Sequence, residues 1–434
     1  MTSWASTLWI VLACCACSSV APRTGTVAVV DAVDAALDAA DAVPPDADAT
    51  SLAANPSTTC SVGPGAWQRI YDTAPFVDVA WMPDGRLAVL QSAAIRFYTT
   101  DGQPAGDAID LSAEATQLSA IAAVATGGWL LRDNPWFDSS DVYDPPRILR
   151  IAADGKTLWR VDPDATFVPL SATPLADGGA WVAGAAGNAG ALRRLNAAGQ
   201  PVQTLAWPEV VRAHAVVPRA DGSVCAAGET KTPPTPGDQL VLRCWSPAGV
   251  PFWTWQQPVA KLGLSVWLGA WPDGRLLALL RSGDYSGDTG TAFATDPPAT
   301  VTTTFATASF YCCGNQNHGE GDDLVAVLPA ADGGLTLVRE VGSDSGMSYA
   351  KIASKTVVER YAPSGQMAGS AVLNDFAYYD DMTRHSEAGV WTVARAALRL
   401  PDGGTLVVGE APHDRFFEEP GKGWMYRLPA LSCP

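Results

Sequence analysis

The chain has 434 residues, 47% hydrophobic and only 17% charged, with 40 Gly and 33 Pro. Turn chemistry this dense and charge this sparse exclude a long coiled coil or a helical bundle. The 45 acids against 28 bases give a formal charge of −17, which repels phosphate backbones and argues against nucleic acid as a partner. No apolar run reaches the roughly 18–20 residues that a membrane-spanning helix needs.

Residues 1–17 read MTSWASTLWIVLACCAC, a short apolar stretch running into three cysteines. A short apolar core before a small residue and Cys is the pattern of an export signal. VLAC, ending at Cys14, resembles a bacterial lipobox, and LACC, ending at Cys15, fits as well; Cys17 fits less well, and no base precedes Arg23. The expectation is a lipoprotein lipidated at Cys14 or Cys15, with a plain secreted protein as the alternative. Residues 18–59 hold twelve Ala, six Asp and a single base, Arg23, with no aromatic residue. Such a segment buries too little to offset its ordering entropy. It resembles the Ala/Asp-rich tethers of myxobacterial lipoproteins, which implies a spacer between a membrane and a folded domain over residues 60–434.

From residue 76 onward one phrase recurs. Its copies are VAWMPDGRLAVLQ, AVATGGWLLR, ATPLADGGAWVAG, AVVPRADGSVCAAG, GAWPDGRLLALL, AVLPAADGGLTLV and LRLPDGGTLVVG, each an apolar run, a Gly turn and a second apolar run. Asp-Gly between apolar runs signals a hairpin, read here as the two-residue turn in which both positions need φ > 0. The turn glycines, Gly85, Gly128, Gly178, Gly222, Gly274, Gly333 and Gly403, are 43 to 70 residues apart. A second strand–turn–strand phrase follows in most units, as in RILRIAADGKTLWRV and LVLRCWSPAGVPFWTW. Two hairpins in succession make four antiparallel strands, so the chain reads as an all-β, seven-bladed propeller. A β-sandwich or two stacked β domains is the alternative. These phrases resemble the blade repeats of quinoprotein-like propellers and related bacterial propeller lipoproteins.

The last unit lacks an outer strand, and GAWQRIYDT at residues 65–73 precedes the first unit without a partner. The N-terminal strand is expected to complete the last blade, with a Cys60–Cys433 disulfide in place of the missing turn. Setting aside Cys14, Cys15 and Cys17 leaves six cysteines, an even number. Cys225 and Cys244 fall on neighbouring strands of one unit, within disulfide reach. Cys312 and Cys313 fit a vicinal bridge, two free thiols or a zinc site with His318.

In a four-stranded meander the first and third turns share one face, and the second turns and crossovers share the other. The long segments all fall on the second face, where loops on a rigid scaffold carry function. They mix aromatics with acids: Trp136, Asp138 and Tyr143, then Tyr378 and Asp381, then Phe416. His318, His385 and His413 lie in the same segments, and Asp284 and Asp288 are the one place where calcium is conceivable. No other cofactor is expected. Asp78 and His214, on innermost strands, are candidates for a polar pair in the channel.

Two functional classes fit. The first is a monomeric binding module at the cell envelope, whose long-segment face takes a protein or carbohydrate ligand. The second is a propeller enzyme, a hydrolase or lyase, or the quinone-dependent dehydrogenase that the resemblance implies. That family can carry a vicinal disulfide beside its cofactor, which Cys312-Cys313 matches, but eight units are usual there. No G-x-S-x-G elbow, HExxH or phosphate loop is present.

Overall fold

The computed structural model describes residues 65–431 apart from 116, 134–145, 231–238, 259–263, 272, 285–286, 296, 298–301, 312–317, 346–349, 382–383, 389–391 and 412–420; in the outward extensions of blades five and six it describes backbone alone. Cys14, Cys15, Cys60, Trp136, Asp138, Tyr143, Cys312, Cys313, His413, Phe416 and Cys433 lie outside the described residues.

The Gly phrases do close hairpins, but through three loop residues instead of two. In blade one the Gly85 amide donates to Met82 O (3.0 Å) and the Met82 amide to Arg86 O (2.9 Å). Only the third loop residue then needs the left-handed region, and Gly85 supplies it at φ 86°. The preceding aspartate has its own role: Asp84 Oδ1 accepts the Arg86 amide at 3.1 Å, and Asp402 Oδ1 accepts the Gly404 amide at 2.9 Å. The same closure recurs in all seven first turns. In blade two it is Gly127, not Gly128, that occupies the critical position, its amide donating to Val124 O at 2.8 Å.

These hairpins build seven blades of four antiparallel strands. The innermost strands are Asp78–Trp81, Leu118–Ala123, Val168–Pro174, Arg212–Pro218, Leu264–Ala270, His318–Pro329 and Val393–Arg399. Each blade is apolar on both sides, and seven hydrophobic clusters fill the seven junctions between neighbours. The cluster between blades three and four, for example, sets Trp207 against Trp245 edge-on at 5.0 Å. The seventh cluster joins Phe76, Val79 and Leu87 of blade one to Leu406, Val408 and Met425 of blade seven, so the ring is closed.

The closing strand is the N-terminal one. Trp67–Tyr71 pairs antiparallel with Lys422–Leu428, setting Trp67 opposite Arg427 and Tyr71 opposite Gly423. The Tyr71 hydroxyl donates to Gly102 O of blade one at 2.8 Å, and the Phe76 amide to Gly409 O of blade seven at 3.0 Å. One short segment thus ties the two ends of the chain into the first and last blades.

Cys225 and Cys244 are directly opposite each other and form a disulfide with a Cα–Cα distance of 4.0 Å. Both are fully buried in the cluster between blades four and five.

Blades five and six depart from the expected loops. The segments read as long loops, RSGDYSGDTG, VGSDSGMSYAKIASK and NDFAYYDDMTRHSEAG, are largely strand. Leu335–Ser345, Ala350–Tyr361 and Met367–Asp381 run 11, 12 and 15 residues, against 7 for most strands of blades three, four and seven. At ~3.3 Å per residue the longest spans about 50 Å and projects well beyond the disc. Pairing of Phe310 with Gly321 and of Tyr311 with Glu320 joins the two blades into one nine-stranded sheet, with Arg384–Ala388 as an added strand at its edge.

Removing residues 65–73 leaves the strand containing Trp424 with an open edge. We expect the melting temperature to fall by on the order of 10 °C and static light scattering to rise on warming. A truncated chain that melts like the full one would show that this strand does not close the ring.

Candidate functional site

The end of the channel that faces the second turns and crossovers is built from a repeated irregularity. In five innermost strands the register slips by one residue, at Ser119, Leu170, His214, Val325 and Arg395. Each is eight positions before its first-turn glycine. A one-residue bulge bends a strand and re-aims the side chain that it leaves unpaired.

Two of these bulged residues meet a carboxylate on the adjacent strand. His214 Nε2 is 3.2 Å from Glu229 Oε2, and the Arg395 guanidinium is 3.3 Å from Glu410 Oε2. Glu340 holds the equivalent position in blade six, where its Oε2 accepts the Thr356 hydroxyl at 2.9 Å and the Ala394 amide of blade seven at 3.2 Å. In blade two, Asp133 accepts the Gln117 amide at 2.8 Å and pairs with Arg147 at 3.2 Å. These acids form a collar of bonded, largely buried carboxylates on the second strands of blades two, four, six and seven.

Asp78 adds to this collar from the innermost strand of blade one. Its Oδ1 accepts the Val79 amide and its Oδ2 the Ile121 amide of blade two, both at 2.8 Å. Burial nevertheless outweighs these bonds and pushes its carboxyl up to about 6. Asp78 and His214 sit on non-adjacent blades, so the structure does not bring them together as a pair; Asp78 accepts two backbone amides, and His214 stands beside Glu229.

Blade five differs. Its innermost strand pairs without a slip, and Trp267 is 43% exposed there. Trp267 therefore stands exposed on the strand that borders the channel. The indole lies over Gly269, where an added Cβ would come within 2.5 Å of the ring. An exposed aromatic face suits stacking on a sugar ring, a planar group or a cation.

Of the residues expected on this face, six lie on described strands: Asp284 and Asp288 of blade five, opposite Gly287 and Gly283, and four residues of blade six. His318 opens the innermost strand of blade six, opposite Ser345. Tyr378 is opposite Ile352 on one side and Glu387 on the other, His385 is opposite Asp380, and Asp381 is opposite Arg384. Tyr378, Asp381 and His385 are thus gathered in one terminal hairpin, while His318 is three strands away in the same sheet. Among the described residues no group of three or more His, Cys, Asp or Glu could hold a metal ion.

Trp267, Glu229, Arg395 and Glu410 were not singled out from the sequence. A signal was there for Trp267: it stands seven positions before Gly274, as Asp78 stands seven before Gly85.

No protein-family model and no curated protein matches the sequence. Among solved structures, a protein of Bacteroides caccae is 14% identical over 66% of this chain and 93% of its own, with a TM-score of 0.37. YCF48 bound to a D1 peptide is 13% identical over 85% and 97%, with a TM-score of 0.41. Streptogramin B lyase is 10% identical over 84% and 98%, with a TM-score of 0.43. Likenesses this distant carry no argument, and the seven-bladed assignment rests on the strand pairing and the seven junction clusters.

A test of the collar is the pH dependence of stability. A folded-state carboxyl raised above its unfolded value means that the folded chain holds the proton more tightly between pH ~4 and ~6. Stability from Asp78 is therefore fully present below pH ~4 and lost as pH rises through ~6. Relative to Asp78→Asn, the wild type should lose on the order of 1–3 kcal/mol between pH 4 and 7 in chemical denaturation. A constant difference across that range would refute the raised carboxyl.

Proposed function

We propose that the protein is a binding module that takes a protein or glycan ligand on the face carrying its second turns and crossovers. The observation that supports this most is the inequality of the two faces. Every first turn is the same internally bonded three-residue loop, whereas the opposite face carries the extended nine-stranded sheet, the carboxylate collar and exposed Trp267. The described strands that precede Trp136 and His413 end on this face, at Asp133 and Ala411, and in this proposal Trp136, Asp138, Tyr143, His413 and Phe416 join His318, Tyr378, Asp381 and His385 in contacting the ligand.

The setting proposed for it is the cell envelope. The buried Cys225–Cys244 disulfide supports an oxidising compartment. The lipobox-like cysteines and the Ala/Asp-rich segment support an anchor with a spacer, which sets the binding face away from the membrane. Replacing Cys14 and Cys15 together should move the protein from the membrane to the soluble fraction of the envelope. Unchanged membrane recovery, with a lipid still attached, would remove the anchor.

Binding is tested on a glycan array and, for surface proteins, by biolayer interferometry with candidates captured from the same envelope. Trp267→Ala should weaken any ligand of the channel mouth about tenfold or more, since Trp267 is the one ring among the described residues that is exposed on an innermost strand. If Trp267→Ala, Trp136→Ala and Tyr378→Ala all bind as the wild type does, the ligand lies elsewhere and the reading fails.

A further inference from the structure

The repeat provides its own control for finding a site, because equivalent positions in seven blades can be compared. Four positions before the first-turn glycine stand Trp81, Ala123, Pro174, Pro218, Ala270, Pro329 and, in blade seven, Arg399. Two positions after that glycine stand Leu87, Trp129, Ala180, Val224, Leu276, Leu335 and, again in blade seven, Thr405. Three positions after it stand Ala88, Leu130, Trp181, Cys225, Leu277, Leu406 and, in blade six, Thr336. Each position carries one polar departure from an otherwise apolar series.

The three departures converge. Arg399, Thr405 and Thr336 line a single pocket of about 210 Å³ at the junction of blades six and seven, on the face of the tight turns, together with Asp332 and Arg360. Thr336 is directly opposite Arg360 in blade six, and Arg399 directly opposite Thr405 in blade seven. Two cross-strand Thr–Arg pairs therefore face one another across the junction.

The charges in the pocket do not cancel. Arg360 is committed: it pairs with Asp332 and donates at 2.8 Å to both Leu335 O and Tyr361 O. Arg399 has no hydrogen bond among the described residues, and burial together with the Arg360 charge disfavours its protonated form. Among the described lining residues two guanidinium groups stand against one carboxylate, a net positive charge in a chain whose overall charge is −17. In blade three the corresponding Arg194–Asp177 pair has Trp181 and Pro218 at these positions, and no second cation.

The geometry points to a binding site for a small anion, a carboxylate or a phosphate group, held by Arg399 with the Thr336 and Thr405 hydroxyls as further donors. A guanidinium presents paired donors to either group. The volume is below that of a typical drug-sized ligand site, which restricts the occupant to a small anion or to the anionic end of a larger molecule. This site is on the opposite face from the proposed ligand surface and does not depend on it.

The test is isothermal titration calorimetry on the full chain at fixed ionic strength, with inorganic phosphate in one arm and acetate and succinate in the other. Saturable one-to-one binding is expected in one arm, and that arm identifies the anion class. Arg399→Gln should weaken it about tenfold or more, and Thr336→Val with Thr405→Val by a smaller factor. Because Arg399 makes no hydrogen bond among the described residues and lies against the Arg360 charge, Arg399→Gln should melt no lower than the wild type, so lost binding will not reflect unfolding. Absence of saturable heat in both arms, or equal affinity in wild type and Arg399→Gln, would overturn the site.

Discussion

No blade of this protein has a core of its own. A four-stranded sheet that is apolar on both sides is stable only when each side is covered, and here each side is covered by the next blade around the ring. The requirement is cyclic: an open ring would leave one face of blade one and one face of blade seven in water. Closure by Trp67–Tyr71 therefore satisfies more than the edge of a single sheet. It holds Phe76 and Tyr98 of blade one against Met425 of blade seven and so completes the seventh junction.

The same requirement explains what could and could not be read from the sequence. The disc itself was legible because it is where apolar alternation and turn glycines coincide. Gly85 and Gly178 mark turns because their φ values, 86° and 85°, are costly for other residues, and the runs beside them are apolar because both faces are covered. The closing strand was legible for the same reason, as a strand without a partner facing a blade without an edge. The extensions of blades five and six were not. Segments such as HGEGDD and GSDS extend the strands past the length of the other blades and carry none of the apolar periodicity that identifies a strand. Their backbones pair in register, as in the rung Gly319–Asp344–Ile352–Tyr378–Glu387.

The candidate site was legible in outline and not in detail. The face was identifiable from connection lengths, but the collar depends on contacts between strands whose register the sequence does not state. His214 attracted attention as a rare residue; its partner Glu229 is one acid among 45 and becomes informative only when the two are found 3.2 Å apart. Bulges are similarly silent in sequence, yet a single register slip puts Arg395 beside Glu410.

Comparison of equivalent positions recovers part of this detail, because a repeat that departs from itself does so for a local reason. Arg194, Arg360 and Arg427 hold the turn aspartates Asp177, Asp332 and Asp402 in blades three, six and seven. In blade four the equivalent position is Cys244, opposite Cys225, and a covalent bond stands where the others have an arginine facing its turn. Both partners there are fully buried, so this departure is absorbed by the core. At the junction of blades six and seven the departures are polar and line a cavity. Burying polar groups where five or six sister blades manage with apolar ones costs stability unless something bonds to them. That asymmetry separates a structural variation of the blade from one that calls for a ligand.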